Sequence, residues 1–285
     1  MILIADSGST KTDWVLIRHV DHTVVATFQT QGINPVHQTP DTIRSIIATI
    51  PSNLPSITQL FFYGSGCIPT YIPFMQQLLS ESLHCSDVQV FNDLLGAARA
   101  LCGHEVGIAC ILGTGSNSCL YDGNNIISNT PPLGYILGDE GSGAVLGRTL
   151  LNALYKGMLP EDLRFQFESD YGVTLPDIIQ RVYREPMANR WLASLAPFVC
   201  RHLDCTSLRK MVVDHFCRFF RHNLSQYDVN QLPVQIANLP VHAVGSIAWY
   251  FREQLNDAAV VEGFQLGRVV QSPMEGLIAF HSSCS

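Results

Sequence analysis

Short blocks of apolar residues, separated by small or polar residues, run through the first hundred positions. Their lengths, and their period of two or of about 3.6 residues, predict alternating strands and helices and hence an α/β fold. A small-residue turn containing Gly8 joins the first two strands, and glycine can adopt dihedral angles there that are closed to other residues. The predicted strands cover residues 2–5, 13–18, 23–28, 59–63 and 88–91, and the predicted helices cover residues 42–50, 71–83 and 94–101.

The opening pattern returns about 105 residues later. A strand over residues 107–112 enters the small-residue turn 113–117, a second strand covers 118–121, and residues 122–125 form a strong hairpin turn. This spacing is too long for a solenoid repeat. It suits two similar α/β domains with facing hairpin tips.

The second half of the chain is predicted to be largely helical over residues 140–227. Strands return at residues 241–244 and 265–270, and a last helix covers 273–281. We therefore expect an N-terminal domain over residues 1–105 and a C-terminal domain with a helical insertion over 106–285. The last helix could pack back on the N-terminal domain.

Composition narrows the class of protein. The chain has 285 residues, of which 47% are apolar. Its net charge is −7, so it lacks the excess of basic residues that is typical of nucleic-acid-binding proteins. No apolar stretch approaches the ~20 residues that span a bilayer, and the N-terminus lacks the basic region of a secretory signal. Nine cysteines, mostly in apolar contexts, favour reduced thiols in a cytoplasmic protein.

A cluster of Cys200, Cys205, His215 and Cys217 raises the question of zinc. Its spacing matches no standard pair of zinc ligands. The segment is more typical of two amphipathic helices, and we expect its thiols and imidazole to be core or half-exposed side chains.

The first small-residue turn has two interpretations, a plain hairpin with a polar tip or a backbone cradle for phosphate. Bare backbone lets consecutive N–H groups approach phosphate oxygens closely. A carboxylate beside a phosphate is repulsive alone, so Asp6 suggests a bridging Mg²⁺, held through water. The turn is not a P-loop, because the residue order G-x-x-x-x-G-K-[ST] is absent from it. The candidate phosphate donors are Gly8, Ser9, Thr10, Lys11 and Thr12.

Two further glycine turns favour the phosphate interpretation. Gly113, Thr114, Gly115 and Ser116 occupy the equivalent point of the repeat. Gly245 and Ser246 follow a strand and open a helix, where glycine leaves room for a flat adenine base.

Six short segments occur in one order along the chain: DSGSTKT at 6–12, GINP at 32–35, ND at 92–93, LGTGSNS at 112–118, GYILGDEGSG at 134–143 and VGS at 244–246. This ordered set resembles the N-acetylglucosamine kinases of the BadF/BadG/BcrA/BcrD ATPase group, within the actin–hexokinase–heat-shock ATPase superfamily. Each segment is modest alone, and the block at 138–142 is the most specific. The resemblance covers essentially the whole chain.

The resemblance implies two ribonuclease-H-like domains of the actin-like ATPase type with a nucleotide cleft between them. It implies ATP and Mg²⁺ as cofactors and a small-molecule sugar as substrate. The reaction would be phosphorylation of the 6-hydroxyl of N-acetylglucosamine or a closely related amino sugar. A homodimer is a reasonable expectation from the family.

The resemblance also assigns roles to residues. Asp93 matches the catalytic base, although it could instead cap a helix starting at Leu94. Asp139 could also be the N-cap of a helix starting at Glu140, and Asn34 could serve ordinary turn chemistry. The residues matched to the sugar are Asn34, Ser116, Asn117, Gly134 and Asp139, and those matched to the nucleotide are Gly8, Ser9, Thr10, Lys11, Gly113, Thr114, Gly115, Gly245 and Ser246.

The chain also departs from the family pattern. The Gly-Trp-Gly-like run of many relatives is replaced by residues 131–134, and the usual Ser-Thr-Asn by residues 32–34. One alternative is the activator ATPase of 2-hydroxyacyl-CoA dehydratases, but its cluster-binding cysteine is missing from residues 137–142. Another is a sugar or nucleotide sensor without catalysis, against which Asp6 and Asp93 argue.

Overall fold

The structure, a computed structural model, describes residues 1–8, 10–232 and 239–282. These residues form two compact units. The first contains Met1–Glu105, the short segment Gly123–Asn125 and the segment that begins at Pro273. The second contains Val106–Asp122 and Ile126–Ser272. The final helix of the chain thus belongs to the first unit.

Each unit is built on one five-stranded mixed sheet. The strands are β1 (Ile2–Ser7), β2 (Lys11–Ile17), β3 (Val24–Gln31), β4 (Gln59–Gly64), β5 (Asp87–Asn92), β6 (Gly107–Leu112), β7 (Ser116–Tyr121), β8 (Ile126–Ser128), β9 (Val241–Val244) and β10 (Leu266–Val270). The strand order is β3-β2-β1-β4-β5 in the first sheet and β8-β7-β6-β9-β10 in the second. In each sheet the first three strands along the chain pair antiparallel. The last two strands run parallel to the first strand, which lies at the centre of the sheet. The repeat predicted from the sequence is therefore a repeat of one topology.

Helices cover the sheets and fill most of the second unit. They are α1 (Pro40–Ile47), α2 (Ile72–Leu83), α3 (Asp93–Cys102), α4 (Gly134–Leu137), α5 (Gly143–Tyr155), α6 (Glu161–Tyr171), α7 (Leu175–Tyr183), α8 (Ala188–Ala193), α9 (Ala196–Arg201), α10 (Thr206–His222), α11 (Ser246–Tyr250), α12 (Arg252–Val261) and α13 (Met274–Ser282). Within the part of the chain that is described, no helix combines the length and apolar character needed to cross a membrane.

The first sheet is buried on both faces, because successive residues of a strand point to opposite sides. Leu3 packs on one side in the core that includes α1 and α2. Ile4 packs on the other side in the core that includes Leu277 of α13. Both cores hold β1 in place, so the residues at its carboxyl end are rigidly supported.

A polar contact fixes α13 to this sheet. The Tyr63 hydroxyl lies 2.8 Å from Nε2 of His281, and Arg99 donates to the same hydroxyl at 2.9 Å. Arg99 uses one lone pair of this oxygen and leaves the hydroxyl proton available to His281. Burial, aided by Arg99, lowers the pKa of His281 to about 4, so the imidazole is neutral and can accept that proton.

Candidate functional site

Asp6 lies one residue before the end of β1, where the strand leads into the first small-residue turn. Its Cα is paired with Asp13 of β2 and Tyr63 of β4. Burial, followed by the charges of Asp93 and Asp13, raises the pKa of Asp6 to about 7, and Lys11 opposes this shift. Lys11 is itself paired with Asp13, with 2.8 Å between Nζ and Oδ2. The group of carboxylates therefore carries excess negative charge, which a divalent cation would compensate.

Magnesium fits this carboxylate. The ion usually takes one or two protein carboxylates and completes its shell with water and phosphate oxygens. Among the described residues, no group of three or more His, Cys, Asp or Glu side chains is arranged to hold a metal. Asp6 would thus hold the ion through its water ligands, with the rest of the shell from water and a bound phosphate.

The N–H of Gly8, predicted to contact phosphate, is already used within the turn after β1 and is not free for a phosphate. Gly8 donates its N–H to the Lys11 carbonyl at 3.0 Å, and the Thr10 carbonyl accepts from Gly32 at 3.1 Å. A Cβ on Gly8 would lie 3.9 Å from the Lys11 carbonyl oxygen, so the turn is open at that point. Ser9, predicted to contact phosphate, lies outside the described residues.

Ser7 and Thr12 form a buried hydroxyl pair beneath that turn, with 2.7 Å between their oxygens. Thr12 also donates to the Gln31 carbonyl at 3.1 Å. The Ser7 oxygen accepts the Ile33 N–H at 2.9 Å. The prediction that the Thr12 hydroxyl binds phosphate is therefore wrong, because the hydroxyl faces the interior. The pair instead holds the loop that leads to Asn34.

Asn34 lies in a turn that its own side chain closes. Its Oδ1 accepts the Val36 N–H at 3.0 Å, and its N–H donates to the Gln38 side chain at 2.8 Å. Nδ2 lies 3.4 Å from the Ser65 hydroxyl, and an amide nitrogen has two hydrogens. Gly66 has φ +77°, and a Cβ there would lie 2.2 Å from Asn34 Oδ1. Asn34 thus performs turn chemistry and can still offer a donor to a ligand.

Asp93 is the first residue of α3, and Asn92 is its N-cap. Asn92 Oδ1 accepts the Leu95 N–H at 2.7 Å, whereas Asp93 Oδ1 accepts the adjacent Leu94 N–H at 3.0 Å. The alternative that Asp93 caps a helix starting at Leu94 is therefore wrong. Burial raises the pKa of Asp93 to about 6, against the effect of the backbone N–H groups. Its carboxylate does not cap the helix, and its raised pKa allows it to accept a proton near neutral pH.

Asp139 belongs to the second unit and has a left-handed backbone with φ +53°, which few residues other than glycine adopt. Its N–H donates to the Pro132 carbonyl at 2.8 Å. Its carboxylate accepts the Ser116 N–H, and a Cβ on Gly115 would lie 3.2 Å from Oδ2. Burial raises its pKa to about 6. The strained backbone thus directs this carboxylate onto the second small-residue turn.

The helix after this segment begins later than predicted. Ser142 is the N-cap of α5, and its hydroxyl accepts the Val145 N–H at 3.2 Å. The alternative role of Asp139 as an N-cap is therefore wrong. Glu140 also precedes the helix, and its carboxylate lies 3.0 Å from Nδ1 of His222.

The second small-residue turn rests on the start of α5. The Gly113 carbonyl accepts from Gly143 at 2.8 Å, and the Thr114 carbonyl accepts from Ala144 at 3.1 Å. The turn is closed by a 2.9 Å bond from the Gly113 N–H to the Gly115 carbonyl. The first N–H groups of α5 are thus occupied, and the exposed groups available to a ligand are those of the turn.

Gly245 brings the third glycine turn against the second. Its φ is +122°, and a Cβ there would lie 2.3 Å from the Leu112 carbonyl oxygen and 3.3 Å from the Gly113 nitrogen. Ser246 then begins α11. The structure therefore brings together the residues predicted to contact phosphate and those predicted to contact adenosine in this unit.

The remaining predicted sugar contacts lie beside Asp139. Ser116 is buried and opens β7, followed by Asn117. Asn117 Oδ1 accepts Nδ2 of Asn129 at 2.8 Å, which leaves its own Nδ2 without a protein partner among the described residues. Gly134 is exposed with φ +72° and begins α4. A Cβ on Gly134 would meet nothing within 4 Å, so the backbone angle alone favours glycine there.

Asp6, Asp93 and Asp139 share one property. Among the described carboxyl groups with a resolved shift, only these three have a raised pKa, and burial is the first cause in each. The others with a resolved shift are lowered. Half-buried carboxylates with a raised pKa are typical of sites that bind cations or move protons.

Comparison with known proteins places the chain in a family. No protein-family model and no curated protein matches it. Among solved structures, a candidate N-acetylglucosamine kinase from Porphyromonas gingivalis is 47% identical, with a TM-score of 0.93 and 99% of each chain covered. The chain belongs to the N-acetylglucosamine kinase-like family. The recognition made from the six sequence segments is thus confirmed, and the family is one of sugar kinases.

More distant structures bear on the fold alone. A candidate N-acetylglucosamine kinase from Chromobacterium violaceum is 18% identical, with a TM-score of 0.75 and 98% of each chain covered. MreB 5 of Spiroplasma citri is 9% identical, with a TM-score of 0.55 over 99% of this chain and 95% of that one. The predicted fold class is confirmed: this chain is an α/β protein with two ribonuclease-H-like domains of the actin-like ATPase type.

Three residues that support the site were not predicted from the sequence. Ser7 carries a local signal, because it ends the mostly apolar and buried strand β1 directly before the small-residue turn. Gly66 and Asn129 carry none, since each acts on a residue far away in the chain, Asn34 and Asn117 respectively. Such contacts depend on how separate segments pack.

Proposed function

We propose that this protein is an ATP-dependent kinase that phosphorylates the 6-hydroxyl of N-acetylglucosamine or a closely related amino sugar. The single observation that supports this most is Asp93, a half-buried carboxylate with a pKa of about 6 that caps no helix. Family membership supports the reaction class, at 47% identity over nearly the full chain. The proposal treats residues 1–105 and 106–285 as its two domains, with the last helix packed on the first.

Asp93 acts on the sugar hydroxyl. As a carboxylate it accepts the proton of the 6-hydroxyl while the oxygen attacks the γ-phosphorus of ATP, and ADP leaves with the electrons of the broken bond. A pKa of about 6 suits this role, because the group is mostly ionised at neutral pH yet basic enough to hold the proton. Activity should therefore fall as pH drops through about 6.

We assign amide and carboxylate groups of each unit to the sugar. In the first unit, Asn34 offers Nδ2 as a donor from a rigid turn. In the second, Asn117 offers a donor and Asp139 an acceptor, next to Ser116 and Gly134. Groups locked by packing and hydrogen bonds lose little entropy on binding, which favours a defined sugar orientation.

The nucleotide is assigned to the glycine turns. In the first unit the assigned residues are Gly8, Ser9, Thr10 and Lys11, with the Gly8 N–H already bonded to the Lys11 carbonyl. In the second unit they are Gly113 to Gly115 for the phosphates and Gly245 with Ser246 for the adenosine. Bound magnesium would neutralise phosphate charge, with Asp6 holding it through water. We also propose that the protein works in the cytoplasm, where thiols stay reduced, and that it forms a homodimer, an expectation taken from the family.

The experiment is coupled ADP release with Mg·ATP across a panel of hexoses and N-acetylated sugars. We expect turnover on one amino sugar, and the variant Asp93→Asn should lower kcat by at least about 100-fold while leaving the KM for ATP nearly unchanged. Asp87→Asn is the matched control, because Asp87 is an exposed aspartate at the far end of the preceding strand β5.

Full activity of Asp93→Asn would refute the role of Asp93. ATP hydrolysis that no sugar stimulates would refute the kinase and favour the activator ATPase. Binding of sugar or nucleotide without any turnover would favour a sensor.

A further inference from the structure

The second unit contains a cavity that the proposed function does not use. Its volume is about 520 Å³, within the range of sites for small molecules. It lies between α5, with its following turn, and one face of α10.

Positive charge dominates the rim of this cavity. Arg148, Lys210 and Arg218 line it, against a single carboxylate, that of Asp214. Neither Lys210 nor Arg218 forms an ion pair with any described residue. The whole chain carries a net charge of −7, so a group of three cations around one cavity departs from its general character.

A buried histidine forms part of the same lining. His215 is 4% exposed, and its Nε2 makes no hydrogen bond of acceptable geometry with a described residue. The carbonyls of Gly141 and Ser142 lie near the ring, but burial prevails and lowers its pKa to about 4. The ring is therefore neutral and retains an unsatisfied nitrogen, which is costly unless a ligand or water pairs with it.

The rest of the lining is mixed. Ser207 and Asn152 offer neutral polar groups, while Met158 and Met211 offer flexible apolar surface. A ligand that suits both parts has an anionic head and a compact body. Arginine and lysine are the usual partners of phosphate oxygens.

We propose that this cavity binds the phosphate group of a small molecule, with Lys210, Arg218 and Arg148 around the anion and His215 at its base. Free phosphate and a phosphate monoester share this chemistry, and the cavity has room for the body of an ester. The proposal does not depend on the kinase reaction.

Arg148 links the cavity to the candidate sugar site. Its guanidinium donates to the carbonyls of Tyr135 and Ile136, in the segment between Gly134 and Asp139. An anion in the cavity competes for this guanidinium. A ligand in the cavity would thereby weaken the hydrogen bonds that Arg148 donates to the Tyr135 and Ile136 carbonyls.

Isothermal titration calorimetry of the full chain tests the proposal. The probes are inorganic phosphate, N-acetylglucosamine 6-phosphate and, as an uncharged control, N-acetylglucosamine. We expect at least one phosphate-bearing probe to bind, and the double variant Lys210→Gln/Arg218→Gln to weaken its binding at least about tenfold. Arg44→Gln is the matched control, because Arg44 is an exposed arginine of the first unit, and it should bind like the unaltered protein.

A further variant separates this cavity from the candidate sugar site. Asp139→Asn should leave phosphate binding in the cavity unchanged. The proposal is overturned if neither phosphate-bearing probe binds at millimolar concentration, or if the double variant binds as tightly as the unaltered protein. It is also overturned if Asp139→Asn abolishes binding while the double variant does not. None of these measurements needs catalysis, so their outcome is separate from that of the kinase assay.

Discussion

At the scale of single residues, two effects act in opposite directions on the carboxyl group of Asp93. The N-terminus of α3 and the Leu94 N–H favour the carboxylate, whereas burial favours the neutral acid. Burial prevails, since the pKa rises to about 6. At neutral pH the folded protein therefore holds a charge that water would solvate better in the unfolded chain.

This imbalance predicts that Asp93→Asn stabilises the protein at pH 7.5. The folded pKa is about 6 and the ordinary value is 3.8, so the folded state binds the proton more tightly. The destabilising effect of the charge is therefore absent below the ordinary pKa of 3.8. It grows as pH rises from 3.8 to about 6 and is complete above about 6. We expect a gain of about 1–2 kcal/mol in the free energy of unfolding at pH 7.5, and a smaller gain at pH 5. Urea unfolding at both pH values measures it.

Asp87→Asn is again the control and should show no such gain. A less stable Asp93→Asn protein at pH 7.5 would show that the carboxylate is compensated in the fold.

The close contact between Gly66 and Asn34 leads to a prediction about sugar binding. Gly66→Ala forces a side chain into the left-handed region and places its Cβ 2.2 Å from Asn34 Oδ1. Gly263→Ala is a matched control, because Gly263 has φ +76° against +77° at Gly66 but nothing within 4 Å of its Cβ. Both should lose about 1 kcal/mol of stability from backbone strain. Only Gly66→Ala should also raise the KM for the sugar, and an equal KM in the two variants would contradict the role of Asn34.

At the scale of elements, close backbone contacts decide where helices lie. Helix α13 crosses α3 so closely that a Cβ on Gly276 would lie 2.1 Å from the Ala100 carbonyl oxygen. Beyond this crossing, the bond between Tyr63 and His281 secures the end of α13. The helix is thus bound to the sheet that carries Asp6, although it follows that strand by most of the chain.

Gly276→Ala should therefore destabilise the protein, even though alanine is the better helix former. Overpacking of this kind costs about 1–3 kcal/mol. Glu275→Ala is the control, because Glu275 is an exposed neighbour in the same helix, and it should change the unfolding midpoint little. Equal urea midpoints for the two variants would show that α13 can shift without cost.

At the scale of the whole molecule, one strand order is used twice. The candidate site residues fall at corresponding places, since the first turn follows β1 and the second follows β6. In both sheets the central strand is buried on each side, which gives the turn after it a rigid base. The duplication thus supplies two similar backbone cradles from one architecture.

The distribution of cysteines makes a whole-molecule prediction. All eight cysteines in the described residues are free thiols, and six of them are buried. Burial raises the pKa of Cys67 to about 12 and of Cys217 to about 11, so these thiols resist ionisation. In a Cys284→Ser background, a thiol reagent at pH 8 should react quickly only with Cys200 and Cys205. The remaining six should react after denaturation, and fast reaction of more than two native thiols would contradict the packing.

The sequence alone was enough to predict most of the strands and helices, their repetition and the positions of the glycine turns, but not helix α12. These properties depend on local periodicity and on the dihedral angles that glycine permits, which are visible in a few neighbouring residues. The ordered segments also identified the family, because short turns that bind ligands keep their residues next to one another in the chain.

Only the tertiary structure decided which of the candidate polar groups are left available for a ligand. Thr12 turned inward to Ser7, Asn92 took the cap of α3 and left Asp93 free, and Asp139 lay before α5 rather than at its N-cap. The raised pKa values of the three aspartates and the cationic cavity beside α10 depend likewise on segments that are distant in sequence. Burial and electrostatic fields arise from packing in three dimensions, and a one-dimensional pattern does not contain them.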